Sequence, residues 1–352
     1  MSVMDLARAE IRALNGYSSA RMEAGQAAVM LNANESPWPP AATLVELNRY
    51  PEPQPARLLA RLAELYDVEA NQVFAGRGSD EAIDLLLRVF CRPGRDTVLI
   101  APPTFGMYRV AATIQGVAVR EAPLRRGHEF DPQALLAAVD QHTRLVFLCS
   151  PNNPTGGLIP LPIIARLAAE LQGRALLVVD EAYIEFAGSA SATRLLAEQD
   201  NVAVLRTLSK AWALAGARVG CLLAAPAVIA LLRRVMAPYP LPSPCVEIAL
   251  AVLADVTAME SRVALLVAER QRMAAALAGL PMVREVLPSA ANFLCVRVDD
   301  AARVWRELAA HGVIVRDVSR QSGIEGCLRF GVGTAMENDA LLAALASTRV
   351  AA

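Results

Sequence analysis

Between residues 72 and 224, short apolar runs alternate with stretches in which apolar residues recur at helical spacing. Uninterrupted apolar runs are typical of strands buried on both faces, and the intervening pattern is typical of amphipathic helices. Regular strand–helix alternation favours a mostly parallel sheet between helices, which is an α/β fold. The strands predicted here are 73–76, 96–101, 117–119, 145–149, 175–179, 202–205 and 219–224.

The pattern changes after the proline-rich stretch 238–244. A long helical segment, 246–280, is followed by shorter strands and helices that predict a smaller α+β domain. We therefore expect a large domain at 29–257, and an N-terminal arm and small domain at 1–28 and 258–352. The elements predicted in the second part are strands 292–298, 313–315 and 327–330 and helices 302–310 and 337–346.

The chain contains a single lysine, Lys210, among 34 lysine and arginine residues. Arginine supplies charge and hydrogen bonds as well as lysine does, but it cannot lose its proton at usable pH. A lone lysine in an arginine-rich chain is therefore a candidate for chemistry that needs a neutral amine, above all a Schiff base with a carbonyl. Compositional drift that left one surface lysine is the alternative.

Charge and cysteine usage exclude several classes of partner. The net charge is −1 and basic residues are dispersed, which argues against nucleic acid or an anionic membrane as the main partner. Six widely spaced cysteines form no C-x-x-C, so free thiols in a reducing compartment, the cytoplasm, are expected. No signal-like segment or membrane-spanning run is predicted, although mean hydropathy is +0.35. No metal site is predicted.

Two segments predict a phosphate site. Ser79 and Asp80 stand where a strand passes into a helix, and the free N–H groups of a helix N-terminus bind phosphate. Helix capping is the alternative for these residues. Ser209 and Arg218 flank the lysine after another strand, on the side where open α/β sheets bind ligands. Lys210 could hold a carbonyl there, and pyridoxal 5'-phosphate (PLP) carries both a phosphate and a carbonyl.

Further polar and aromatic residues follow the neighbouring strands. Asp180 ends a buried strand, and a protonated pyridine nitrogen would satisfy its charge, as would a salt bridge or a helix cap. Asn153 and Tyr183 could hydrogen-bond a phenolic oxygen beside the reactive carbonyl. Phe105 could stack on a flat ring. An ordinary turn at Asn153 and a core position for Phe105 remain open on the residues alone.

The order of these signals resembles the fold-type-I PLP-dependent aminotransferases of the class I/II group over nearly the whole chain. Within the group, the histidinol-phosphate aminotransferase subgroup is the most similar. The motifs that carry the resemblance are Leu31-Asn-Ala-Asn-Glu-Ser-Pro37, Arg49-Tyr-Pro-Glu-Pro-Gln54, Gly78-Ser-Asp-Glu81, Pro103-Thr-Phe-Gly-Met-Tyr108, Thr207-Leu-Ser-Lys-Ala-Trp-Ala-Leu-Ala-Gly216, Gly312-Val-Ile-Val-Arg316 and Cys327-Leu-Arg329.

The resemblance implies a seven-stranded large domain, PLP as cofactor and a role for each site residue. Lys210 is implied to be the catalytic residue that carries the cofactor. Tyr50 is implied to reach the phosphate from the partner subunit, and hence a homodimer with shared sites. The implied cofactor-binding residues are Ser79, Asp80, Phe105, Asn153, Asp180, Tyr183, Ser209, Lys210 and Arg218, and the implied substrate-binding residues are Tyr17, Arg316 and Arg329.

Two positions depart from the pattern of the subgroup. Phe105 stands where tyrosine is usual, and Ser36 where asparagine is commoner. Both bear on substrate preference rather than on the cofactor. The predicted reaction is transamination between L-histidinol phosphate and 2-oxoglutarate, in histidine biosynthesis. An aromatic or broad-range aminotransferase is the alternative, and L-threonine-O-phosphate decarboxylase is a more distant one.

Two other classes fit the sequence poorly. A PLP-binding regulator would carry an additional basic DNA-binding domain, which the chain lacks. A Rossmann dehydrogenase would carry G-x-G-x-x-G after its first strand, and that motif is absent.

Overall fold

A computed structural model describes residues 2–16, 29, 31–40 and 47–347. The larger of its sheets has seven strands in the order β1-β7-β6-β5-β4-β2-β3. All seven run in one direction except β7, which is antiparallel to both of its neighbours. The strands are β1 Val73–Gly76, β2 Thr97–Ile100, β3 Ala118–Glu121, β4 Thr143–Cys149, β5 Leu176–Asp180, β6 Val202–Thr207 and β7 Gly220–Ala224.

Helices cover both faces of this sheet. Alternate residues of β4 enter opposite cores, Val146 and Leu148 on one face and Leu145 and Phe147 on the other. The predicted α/β class and the mostly parallel seven-stranded sheet are therefore confirmed. The described helices from the N-terminus to Leu253 are α1 Val3–Leu6, α2 Ala9–Ala13, α3 Ala56–Tyr66, α4 Ser79–Phe90, α5 Met107–Ile114, α6 Pro132–Ala137, α7 Leu161–Leu171, α8 Pro226–Val235 and α9 Ser243–Leu253.

The reversal at β7 follows from the connection that precedes it. A parallel crossover needs about a dozen or more residues, usually including a helix. The segment between β6 and β7 contains only a short 3-10 turn, Ala215–Ala217, and carries Lys210. The chain therefore returns beside β6 in the opposite direction.

The second sheet has four antiparallel strands in the order β10-β11-β9-β8 and its own apolar core. Its elements are α10 Val256–Ala278, β8 Val283–Val286, β9 Phe293–Val298, α11 Ala301–Ala310, β10 Arg316–Asp317, β11 Cys327–Gly331 and α12 Ala335–Ser347. The domain boundaries stay a prediction, although Val3 and Leu6 of α1 pack in the core of the large sheet. Within the described ranges, no helix is long and apolar enough to cross a membrane.

Two predicted elements were wrong. The single helix 246–280 is divided into α9 and α10, because the Asp255 side chain accepts a hydrogen bond from the N–H of Ala258 and starts a new helix. The strand expected at 313–315 lies at Arg316–Asp317, where the backbone pairs with β11. Val313 and Val315 pack against the core of the small sheet, whereas Ile314 is exposed. The apolar run therefore does not determine where the strand pairs.

Candidate active site

A cavity of about 570 Å³ lies at the carboxyl ends of the parallel strands of the large sheet. The ends of three adjacent strands are in register, because Cys149 of β4 pairs with Asp180 of β5, and Asp180 pairs with Leu205 of β6. Eleven of the residues predicted for the site line this cavity: Ser79, Asp80, Phe105, Asn153, Asp180, Tyr183, Ser209, Lys210, Arg218, Arg316 and Arg329.

Asp180 is buried at the end of β5, and two neutral donors hold its carboxylate. The Tyr108 hydroxyl donates to Oδ2 at 2.7 Å, and the Ala182 N–H donates to Oδ1 at 3.1 Å. Burial raises the pKa of Asp180 to about 6. Because neither donor carries charge, the carboxylate is suited to a cation that enters from the cavity.

Lys210 lies on the β6–β7 connection, three residues beyond the end of β6. Its Nζ is 5.8 Å from the centre of the Tyr183 ring. Lys210 is exposed in the open cavity. Partial desolvation by the surrounding walls lowers its pKa, and the positive charges of Arg329 and Arg218 lower it further. A lowered pKa increases the fraction of neutral amine, which is the form that attacks a carbonyl or accepts a proton.

The predicted phosphate site consists of the first turn of α4 and the side chain of Arg218. Arg218 donates to Asp80 Oδ2 at 3.3 Å, and Gly78 precedes the helix at a φ of +78°. A Cβ atom on Gly220 would lie 2.6 Å from the Ser79 nitrogen, so only glycine lets β7 approach this turn. The helix N-terminus and the guanidinium together form an anion-binding corner.

The two predicted substrate arginines belong to the second sheet and face each other. Arg316 of β10 and Arg329 of β11 are directly paired residues of an antiparallel ladder. Arg329 donates to Asn153 Oδ1 and lies over the Phe293 ring, with its Cζ 5.3 Å from the ring centre. Neither arginine forms an ion pair with an acid in the described part of the chain.

Aromatic residues form the remaining walls. Tyr183 is buried, and its ring meets Phe293 edge to face at 5.1 Å. Burial raises the pKa of Tyr183, so its hydroxyl is protonated and can donate a hydrogen bond. Phe105 meets Tyr108 edge to face at 5.5 Å.

Among the described residues, one predicted site residue does not line the cavity. Tyr50 stacks on Tyr239, with the ring centres 4.5 Å apart, and it does not line the cavity of its own subunit. Tyr17 lies outside the described residues. The assignment of Tyr50 to a neighbouring subunit's site stays a prediction.

Sequence reasoning gave no role to several residues that the structure places at the site. Tyr108 holds Asp180, and Thr104, Val318 and Gln321 line the cavity. Tyr108 belongs to a motif that carried the resemblance, but nothing in its spacing indicated a contact with a residue 72 positions away. Val318 and Gln321 follow a strand whose position was predicted wrongly.

The described residues fit PLP. A buried carboxylate held only by neutral donors suits a protonated ring nitrogen. The N-terminal corner of α4 with Arg218 suits a phosphate, and the only lysine of the chain lines the same cavity as these two features.

Comparison with known proteins gives the same family. The model of the family "Aminotransferase class I and II" matches residues 15–345. Histidinol-phosphate aminotransferase from Stenotrophomonas maltophilia (strain R551-3) is 52% identical over 357 residues, which cover 99% of this chain and 98% of that protein. Its counterpart from Xanthomonas campestris pv. campestris (strain ATCC 33913) is 49% identical, over 100% of this chain and 99% of that protein.

A solved structure agrees in fold. Histidinol-phosphate aminotransferase from Sinorhizobium meliloti, in complex with pyridoxal-5'-phosphate, superimposes with a TM-score of 0.79 at 28% identity, covering 90% of this chain and 89% of that chain. The resemblance drawn from the motifs is thereby confirmed. From its cavity, its fold and its relatives, the chain belongs to the class I and II aminotransferase family.

Proposed function

We propose that the protein is a PLP-dependent transaminase that moves the amino group of L-histidinol phosphate to 2-oxoglutarate, giving imidazole-acetol phosphate and L-glutamate, in histidine biosynthesis. One observation carries the chemistry: the only lysine of the chain lies in a cavity that also holds a buried carboxylate and two facing arginines. Relatives named histidinol-phosphate aminotransferase support the substrate.

Bound PLP would supply an electron sink and the carbonyl that exchanges amino groups. Lys210 would hold the carbonyl carbon in the resting enzyme and then act as the base that moves a proton at the substrate Cα. Its lowered pKa increases the fraction of the neutral amine. Asp180 would keep the ring nitrogen protonated, because its carboxylate is otherwise uncompensated.

The remaining cofactor contacts follow from position. Ser79, Ser209 and Arg218 would hold the phosphate, with Asp80 orienting the Arg218 guanidinium. Asn153 and Tyr183 would donate hydrogen bonds to the phenolic oxygen, and Phe105 would stack on the ring. The Asn153 oxygen is held by Arg329, so its amide N–H groups are turned toward other acceptors.

Arg316 and Arg329 would bind the anionic groups of both substrates, one substrate in each half-reaction. Guanidinium groups bind carboxylate and phosphate with similar geometry, so one pair of arginines can accept glutamate and a phosphate ester. Tyr17 would add a contact to the substrate. Tyr50 would complete the phosphate site of the neighbouring subunit in a homodimer. The enzyme would act on small molecules in the cytoplasm and would bind neither nucleic acid nor membrane.

The test is formation of L-glutamate from purified protein with PLP, L-histidinol phosphate and 2-oxoglutarate. Wild type should produce glutamate in proportion to the L-histidinol phosphate consumed. Lys210→Arg should bind PLP without turnover, because arginine is a poor amine nucleophile. Absence of glutamate from PLP-loaded wild type would reject the proposed reaction.

A further inference from the structure

Tyr108 is buried beside the cavity and donates a hydrogen bond to a residue of the site. It is the second residue of α5 and has no exposed surface. Its hydroxyl donates to Asp180 Oδ2 at 2.7 Å, which joins α5 to the end of β5. Among the described residues, this is the only side chain that hydrogen-bonds to Asp180.

The Tyr108 ring is fixed by aromatic neighbours. It stacks on Phe147 of β4, with ring centres 4.8 Å apart and planes 8° from parallel. It also meets the edge of Phe105, with centres 5.5 Å apart and an interplanar angle of 85°. Tyr108 thus contacts both the residue that would face the cofactor ring and the residue that would hold the ring nitrogen.

We infer that Tyr108 is a positioning residue that orients the Asp180 carboxylate through its hydroxyl and supports Phe105 through its ring. The inference rests on the proposed function, since it concerns how the site receives PLP. It adds a role that neither composition nor spacing assigned, and Tyr108 itself touches neither substrate nor reacting atoms.

The physical effect has a definite direction. A hydrogen bond to a carboxylate favours its charged form, and loss of that bond makes protonation easier in a buried site. The Tyr108 hydroxyl is a neutral donor, so it fixes the orientation of the carboxylate without neutralising it. Asp180 therefore stays available to a cation in the cavity, and its second oxygen is fixed by the Ala182 N–H.

The first experiment removes only the hydroxyl. Tyr108→Phe keeps the ring contacts, and the affinity of the cofactor-free protein for PLP is measured by equilibrium titration across pH. We expect binding weaker by about tenfold to a hundredfold near neutral pH, the range for a lost hydrogen bond to a charged group. The loss should grow as pH falls, because Asp180 without its donor takes up a proton at higher pH.

Tyr66→Phe is the matched control. Tyr66 is also a buried tyrosine, but its hydroxyl has no hydrogen-bond partner among the described residues, and it does not line the cavity. Tyr66→Phe should leave PLP affinity within about threefold of wild type, because it removes no hydrogen bond to a charged group. An equal loss in both variants would overturn the positioning role of Tyr108.

A double-mutant cycle separates positioning from general structural damage. If Tyr108 acts through Asp180, then Tyr108→Phe should change PLP affinity by less than about threefold in an Asp180→Asn background, since the charged acceptor is absent. Full additivity of the two losses would overturn the inference. If wild type itself does not bind PLP, the proposed function fails, which is a different result from an additive cycle in a protein that binds.

A second variant covers the case in which Tyr108→Phe does not fold. Incorporation of 4-aminophenylalanine at position 108 keeps the ring and a donor at the same place. PLP affinity within about tenfold of wild type supports the inference. Any larger loss contradicts it, because a hydrogen-bond donor would then be present at position 108 without restoring affinity.

Discussion

At the scale of single residues, the facing arginines show how the chain prepares for an anion. Arg316 and Arg329 are cross-strand partners, and like charges directly opposite each other are destabilising. No acid of the described chain forms an ion pair with either. In the proposed function, a bound carboxylate or phosphate would reduce this repulsion. Part of the binding free energy of the substrate would then come from relief of the repulsion between the two arginines.

The first prediction concerns Arg316. Because a phosphate carries more negative charge than a carboxylate, Arg316→Gln should lower kcat/KM for L-histidinol phosphate by about tenfold or more, and for L-phenylalanine by less. Steady-state kinetics with both donors measure the difference. Arg320→Gln, a nearby exposed arginine outside the cavity, is the control. Unchanged kinetics with histidinol phosphate would favour an aromatic aminotransferase.

The second prediction concerns Asp180 in the cofactor-free protein. Its folded pKa is raised from 3.8 to about 6, so the folded state binds this proton more tightly than the unfolded state does. The stability contribution is therefore present at low pH and is lost as pH rises from about 4 to about 6. The loss amounts to about 3 kcal/mol for a shift of about two units.

Urea unfolding of cofactor-free wild type and Asp180→Asn measures this effect. The variant cannot titrate at this position, so its stability relative to wild type should rise between about pH 4 and about pH 6 and then level off. With PLP bound, the order should reverse, because only the carboxylate pairs with a cationic ring. A difference independent of pH would show that Asp180 does not titrate in this range.

At the scale of elements, the site depends on close approach of β7 to the start of α4. The third prediction is that Gly220→Ala weakens PLP binding by about tenfold or more, because the new Cβ would lie 2.6 Å from the Gly78 carbonyl carbon and the Ser79 nitrogen. Gly216→Ala, on the same connection but with open space around it, should bind PLP nearly as wild type does. Equal titration curves for the two variants would contradict this account of the phosphate site.

Most of the large sheet could be predicted because its strands are buried on both faces. A strand such as β5 is apolar along its length, and it ends where Asp180 begins a polar loop. The polar residues after such strands could therefore be placed at one edge without a structure. The position of polar residues after buried strands thus predicted that Lys210, Asn153 and Asp180 lie in one site.

The structural features that were not predicted from the sequence depend on contacts between distant segments. The strand β8, Val-Arg-Glu-Val, is half exposed and lacks an apolar run, so it was missed. The contact of Tyr108 with Asp180 and the pairing of Arg316 with Arg329 require the final packing of separate elements. Local pattern carries no information on such pairs.

At the scale of the whole molecule, the cavity is shared between the two sheets. Asp180 ends a strand of the large sheet and Lys210 lies on a connection between two of its strands, whereas Arg316 and Arg329 belong to the small sheet. The hydrogen bond from Arg329 to Asn153 joins the two at the cavity. In the proposed function, substrate anions and cofactor would therefore meet where the two sheets meet.

The fourth prediction concerns assembly. If Tyr50 completes the neighbour's site, then mixing inactive Lys210→Ala with weak Tyr50→Ala subunits should give more activity than the two proteins give separately. Each mixed dimer would contain one site with both residues intact. Analytical ultracentrifugation should show a dimer. An active monomer, or a mixture without gain in activity, would exclude a shared site.

The most direct test of the central claim is reductive trapping of the cofactor. The purified protein should be yellow, and borohydride should fix a pyridoxyl group on the peptide that contains Lys210, identified by mass spectrometry. Because Lys210 is the only lysine of the chain, a pyridoxyl group attached to a lysine must be on Lys210. A colourless protein that takes up no PLP, or a reduced protein without label on Lys210, would contradict the account.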